Sequence, residues 1–255
     1  MCPRSASRID PSAVVHDGAE LGADVFVGHG AIVYPNVSLG AGSSIEPYAI
    51  VGNPPVEAHR ASDFRFPRTV LGEASVVRSH SVVYAGSSFG RGFQTGHRVL
   101  IREGTVIGDH CSVGTGAELY GDLEVGDHTR IQSYVGIGKG TKVGSFVWIY
   151  VQSLLVNDRY PPAGGIDGPI VEDYAVIGAS VIVHAGVRIG AKSLVGSGSV
   201  VSKDVPSERL VMGNPAREIG PVADIRGPDG ERPYPWMERV GDYGYPWQRS
   251  ESGKD

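Results

Sequence analysis

A beat of six constrains this chain more than any other feature. Aliphatic residues fall at Ile9, Val15, Leu21, Val27, Val33, Leu39, Ile45 and Val51. The beat breaks, resumes at Leu71, and runs through Val77, Val83, Phe89, Thr95 and Ile101 to Leu155. It breaks again and continues from Val171 to Val201, with only Phe89 and Thr95 departing from Leu, Ile or Val. A second beat follows four residues behind the first, where Ala13, Ser43, Ser75, Ser81, Thr105, Ala117 and Ser199 are all small. An amphipathic helix needs apolar spacings of three and four, which are absent. One large and one small inward residue per six describes a short strand and a tight turn. Gly often follows the large residue, and it supplies turn conformations at little steric cost.

Internal repeats of this kind predict a solenoid: an all-β parallel β-helix with three hexads to a coil. Residues eighteen apart then stack on neighbouring coils. The 37 glycines and 8% aromatic content suit repeated turns and small-residue packing. The β-helix is expected over residues 1–205, with an irregular C-terminal extension over 206–255 that carries PYPW and YPW. Two excursions leave the beat, at 53–69 and 157–169. Loops of this kind on a solenoid commonly form its binding face.

Composition narrows the function. A net charge of −5 and a pI near 5.9 argue against a nucleic-acid partner, which usually needs a basic face. Two cysteines, Cys2 and Cys111, make no disulfide framework and fit a reducing cytoplasm. The N-terminal residues lack the apolar run of a signal peptide. No apolar stretch of about 18–20 residues exists, so no membrane span is expected.

Eight histidines are spread along the chain. His110 and His128 lie eighteen apart in GDH segments and read as turn histidines on successive coils. No two histidines are five apart, the spacing that the zinc site of β-helical carbonic anhydrases would require, so no metal is expected. Cys111 falls on the small inward beat and reads as packing. His97 differs: it sits in TGHRVLIRE, where the beat position is Thr95. Its stacked positions, Thr115 and Ser133, are small and leave room beside the imidazole.

His97 in TGHRVLI precedes Asn157 in LLVN by sixty residues, with Ile131–Gln132 between them, and the chain continues to VSKDVP and VMGNPAR. In these features residues 95–217 resemble the coenzyme A-dependent N-acetyltransferases that acylate 3-amino groups of nucleotide-linked sugars. The resemblance implies a left-handed β-helix and a homotrimer with sites between subunits. It also implies acetyl-CoA as donor and a nucleotide-linked amino sugar as acceptor. His97 would then take the amine proton or orient the amine, a task that suits an imidazole with an unperturbed pKa of about 6.5. In a second scheme no side-chain base acts, and the departing thiolate takes the proton. Asn157 would hydrogen-bond the sugar or amine, and Arg98, Ser133, Tyr134 and Asp158 would contact the acceptor. Arg102, like Arg98, flanks His97 and is available to a diphosphate. The pantetheine arm would run past Ala179, Gly196 and Ser197, with Lys203 and Arg217 meeting the phosphates. Thr95–Gly96 and Leu100 depart from the family's Ile-Trp and second histidine, so the sugar pocket is expected to differ.

Two other readings stay open. The first ninety residues, with their VGNPP insertion, resemble the acyl-carrier-protein-dependent acyltransferases of lipid A synthesis. A non-enzymatic assembly subunit is the third reading; it leaves GNPAR and NDRYPP without a role.

Overall fold

The structure is a computed structural model that describes residues 7–60, 63–162 and 165–230. Each hexad forms a two- to four-residue strand, and up to the final hairpin strands adjacent in sequence belong to different sheets. The first sheet begins at Arg8–Ile9, the second at Val14–Val15 and the third at Glu20–Leu21. They contain 12, 10 and 9 strands, and every neighbour pair except a final hairpin is parallel. Register places beat residues in file: Val83 lies on Ile101, and Ile101 on Leu119. The result is a parallel β-solenoid with three sheets and three edges. The first edge joins the first sheet to the second, the second edge joins second to third, and the third edge closes the coil.

The core is a column in which the large beat residues are almost wholly buried, among them Leu39, Ile101, Leu119 and Ile177. The small beat is inward as well, and its hydroxyls are satisfied by backbone carbonyls of the turns. Thr141 Oγ1 donates to Gly138 O at 2.6 Å, and Ser153 Oγ to Gly178 O at 2.8 Å. Buried hydroxyls without such partners would be costly. The two lapses in the beat are one packing event. Phe93 occupies a small-beat position and stacks on Phe89 with centroids 4.4 Å apart, while nearby Thr95 gives up volume. The Thr95 hydroxyl accepts a hydrogen bond from Arg78 N at 2.9 Å.

Turns at the edges place their second residue in the left-handed region, whether Gly or not: φ is 62° at His80, 55° at Arg98 and 59° at Tyr134. Close coil stacking fixes glycine beside many turns. A Cβ on Gly126 would meet Ser145 N at 2.6 Å.

Both excursions leave the ladder intact. Ile50–Asn53 pairs directly with Val82–Tyr84, and Val37–Leu39 with Thr69–Leu71. Leu154–Leu155 pairs with Ile182–Val183, and Lys142–Val143 with Ile170–Val171. Each excursion therefore bulges from the second edge. At the C-terminal end Arg209–Met212 adds to the first sheet beside Leu194–Val195, and Arg217–Pro221 folds back on it antiparallel. The described part of the expected extension thus finishes the solenoid; the PYPW and YPW segments lie outside the described residues.

Candidate functional site

The first edge collects His97, Arg98, Ser133, Tyr134, Ala179 and Ser197 in one file of turns. His97 N donates to Thr115 Oγ1 at 3.2 Å on the next coil, and Ala179 N donates to Ser197 Oγ at 3.1 Å. The Tyr134 ring lies over Gly116, where a Cβ would meet it at 2.7 Å. The imidazole of His97 and the guanidinium of Arg98 are exposed, with no side-chain partner among the described residues. Gly196 faces Met212. Lys203 and Arg217 come together at the C-terminal end, lining one cavity of about 280 Å³ with Asp204 and Glu218.

Asn157 and Asp158 lie elsewhere, at the root of the second excursion. The Asn157 carbonyl accepts from Asp167 N at 2.8 Å, which closes the loop. Asp158 Oδ1 accepts from Tyr160 N at 2.9 Å, and Arg159 bridges Asp167 Oδ2 at 3.2 Å and Ala185 O at 3.0 Å. Within one chain His97 and Asn157 stand at opposite edges of the second sheet. They are also three coils apart along its axis, about 14 Å at the ordinary interstrand spacing.

Between the two excursions the second edge carries a charged cluster. The Arg102 guanidinium sits over the Tyr84 ring, 5.1 Å from its centroid. It donates to Glu103 through Nε at 2.8 Å and Nη2 at 2.7 Å. Lys139 pairs with Asp122 at 2.9 Å. Burial pushes the Glu103 carboxyl up. The Arg102 hydrogen bonds, a backbone N–H and the Arg102 and Lys139 charges outweigh this and hold it below the usual carboxylate value. Arg102 therefore lies on the far edge from His97, although both belong to the same coil.

Comparison with known proteins bears on this geometry. The family described as "Bacterial transferase hexapeptide (six repeats)" matches residues 18–53 and 104–139. The chain is a hexapeptide-repeat β-solenoid. Over 118 residues it is 35% identical to the acyl-(acyl-carrier-protein)–UDP-N-acetylglucosamine O-acyltransferase of Pseudomonas aeruginosa, covering 44% of this chain and 42% of that protein. The counterpart from Ectopseudomonas mendocina is 33% identical over 119 residues. The chain thus spans less than half the length of the curated relatives it matches. The UDP-N-acetylglucosamine acyltransferase structure from Arabidopsis superposes with a TM-score of 0.61 at 24% identity, over 84% of this chain and 74% of that one. The Campylobacter jejuni enzyme gives 0.53 at 20% identity, over 91% and 81%. At these identities the superpositions speak for the fold.

The hexapeptide-repeat register also explains what sequence reasoning missed. Tyr84, Glu103, Asp122 and Lys139 were not singled out, because their meaning depends on which edge they occupy. Counting hexads modulo three would have placed both excursions, and these residues between them, on one edge. His110 and His128 do stack, at 5.2 Å, and continue through Phe146 to Tyr174 along the third edge, away from both excursions. Among the described residues no three His, Cys, Asp or Glu are grouped to hold a metal ion, and no helix is long and apolar enough to cross a membrane.

Proposed function

We propose that this chain is an acyltransferase that takes an acyl group from a thioester on an acyl carrier protein and gives it to the sugar of a nucleotide-linked sugar. The observation that carries the reading is the 35% identity over 118 residues with acyl-(acyl-carrier-protein)–UDP-N-acetylglucosamine O-acyltransferases, whose names state that donor and acceptor. The reading expected first, an acetyl-CoA-dependent N-acetyltransferase, has less support from these relatives. Both donors present the thioester on a phosphopantetheine arm, so the same surface serves either. Ala179, Gly196 and Ser197 would border that arm on the first edge, and Lys203 and Arg217 would meet its phosphate.

In the proposed step the acceptor hydroxyl or amine attacks the thioester carbonyl carbon. The acceptor's proton passes to His97, the carbon–sulfur bond breaks, and His97 returns the proton to the leaving sulfur. The products are an ester or amide and a free thiol. His97 suits the task because its ring is exposed and has no side-chain partner among the described residues. Arg98, Ser133 and Tyr134 lie beside it for the acceptor, whose length would let its far end reach Asn157 and Asp158. The chain is proposed to work as a homotrimer. Support comes from the outer face of the second sheet, where Ile32, Ile50, Val82 and Leu100 stand in file before Glu118 and Gly136, with Leu154 and Ile182 beyond them.

The test is thiol release from acyl carrier protein and coenzyme A thioesters, each against a panel of UDP-, dTDP- and GDP-linked sugars. Release from the carrier-protein donor is expected. Release confined to acetyl-CoA with an amino sugar would restore the coenzyme A reading, and no release with either donor would leave acyl transfer without support.

A further inference from the structure

An aliphatic residue on an outer sheet face of this solenoid normally keeps contact with solvent. Val106, Leu154 and Ile182 are 50%, 42% and 38% exposed. The first sheet departs from this over two coils. Trp148 and Val176 lie side by side on its outer face, with Arg130 before them and Leu194 after them in the file. They are only 8% and 5% exposed. Strands Trp148–Ile149 and Val176–Ile177 are thus buried on both faces, which holds for no other two-residue strand among the described residues. Neighbours within a sheet cannot do this to a tryptophan. An indole laid flat on the flanking strands still turns one ring face outward, and the Tyr150 ring, 5.9 Å away and tilted by 36°, meets it from one side. Something lies over this face.

The face is aromatic from edge to edge. Phe146 and Tyr174 stack on the third edge, with centroids 4.8 Å apart and planes 2° apart, and Tyr150 stands on the first edge. Aromatic-lined surfaces take extended proline-containing segments, whose backbone loses little freedom on docking. Residues 231–255 carry Pro-Tyr-Pro-Trp at 233–236 and Tyr-Pro-Trp at 245–247. The described chain also ends in the right place. Arg217–Pro221 folds back on the first sheet, and Val222 N donates to Glu208 O at 2.9 Å. Glu208 belongs to the third edge, in file with Lys192, Tyr174 and Phe146. From Leu210 to Trp148 is three ladder steps, about 14 Å. The 25 residues 231–255 span about 80 Å when extended, so they reach easily.

We infer that residues 231–255 dock across the outer face of their own chain's first sheet, with the two proline–aromatic motifs over Trp148 and Val176. Proline supplies a stiff, extended backbone and the Tyr and Trp rings supply the area that closes over the indole. The segment thereby reaches the first edge. Gln132 N donates to Ile149 O at 2.8 Å and Tyr150 N to Ile177 O at 2.9 Å, so Tyr150 stands in file with Gln132 and Gly178. Ser133 and Ala179 are the next residues along those two turns. The docked segment therefore borders the edge that carries His97, and the docking itself is independent of the acyl-transfer reading.

The fluorescence of Trp148 tests this in the full chain. The tryptophans are Trp148, Trp236 and Trp247, so Trp236→Phe with Trp247→Phe leaves Trp148 as the one indole and keeps aromatic rings in the segment. Its emission should be blue-shifted and weakly quenched by acrylamide. A second protein carries Tyr234→Ser, Trp236→Ser, Tyr245→Ser and Trp247→Ser. There the quenching constant should rise several-fold and the emission should move to the red, with the β-sheet circular dichroism retained. Equal quenching in the two proteins would overturn the inference. Hydrogen exchange of the unaltered chain gives a reading that does not depend on a variant folding: amides within 236–245 should exchange far more slowly than in a random coil. Exchange at the random-coil rate would also overturn it. Mixing separates a chain's own segment from that of a second copy. The serine protein is co-expressed with an excess of chains carrying Trp148→Phe, Trp236→Phe and Trp247→Phe, which are dark but keep the segment. Quenching should stay strong. A return to weak quenching would give the face to a neighbouring copy's segment and sink docking within one chain.

Discussion

The first and second edges of the second sheet are built from the same hexads, yet they carry opposite chemistry. The first edge turns without interruption over the described coils, and its exposed His97 and Arg98 have no ionic partner there. The second edge is interrupted twice, and between the interruptions its charges are paired, Arg102 with Glu103 and Lys139 with Asp122. The difference teaches where freedom lies in a solenoid. Inward positions must fill the column and satisfy their hydroxyls, so they answer to the fold. Edge positions answer only to what lies beside them, so they can be spent on chemistry.

Substitutions at the edges and in the column should separate these two demands. The largest expected effect is on the edge: His97→Ala should lower kcat/KM by about a hundredfold or more, the usual scale for loss of a general base. The melting temperature should hardly move. A large fall in melting temperature would make His97 part of the scaffold. The column should show the reverse. Ile137 is fully buried, and Ile137→Ala should cost about 3 kcal/mol in urea unfolding through lost burial and an unfilled cavity. The kcat of the folded fraction should stay near wild type.

A smaller effect distinguishes stacked from open glycines. Gly126→Ala drives a Cβ against Ser145 N, whereas nothing lies within 4 Å of a Cβ on Gly220. The first should cost about 1–3 kcal/mol as an overpacked site, and the second should be neutral within measurement. Equal costs would remove close coil stacking as the reason for the glycine.

The smallest effect is a pH dependence from Cys111, whose thiol burial pushes up from its ordinary range to about 11. The folded chain resists ionisation that the unfolded chain accepts. Stability from this group is therefore intact below pH 9 and lost as pH rises through about 11. Cys111→Ala should flatten the fall in urea midpoint across that window. A parallel fall in the variant would assign the loss to other groups.

The architecture was legible in the sequence because a period of six survives in the letters. Each beat residue is large or small according to its place in the column, and the files Val83–Ile101–Leu119 follow from spacing alone. The lapse at Phe89 and Thr95 was visible too, but its cause was not. Phe93 supplies the missing volume from a small-beat position, and volume exchange between neighbours is a property of packing. The candidate residues divided in the same way. His97, Ser133, Ala179 and Ser197 share an edge because their spacings are multiples of the coil apart from the second excursion. Asn157 fell on another edge because sixty residues is not a whole number of coils.

The sequence by itself determined the strands, the buried column and the two points where the chain leaves it, since strand period and turn chemistry are local. Only the tertiary structure decided that Arg102 is held by Glu103 over Tyr84. It also decided that His97 and Arg98 stand without ionic partners among the described residues. Those facts depend on which side chains meet across coils, and such contacts are set by the closing of three sheets around one axis.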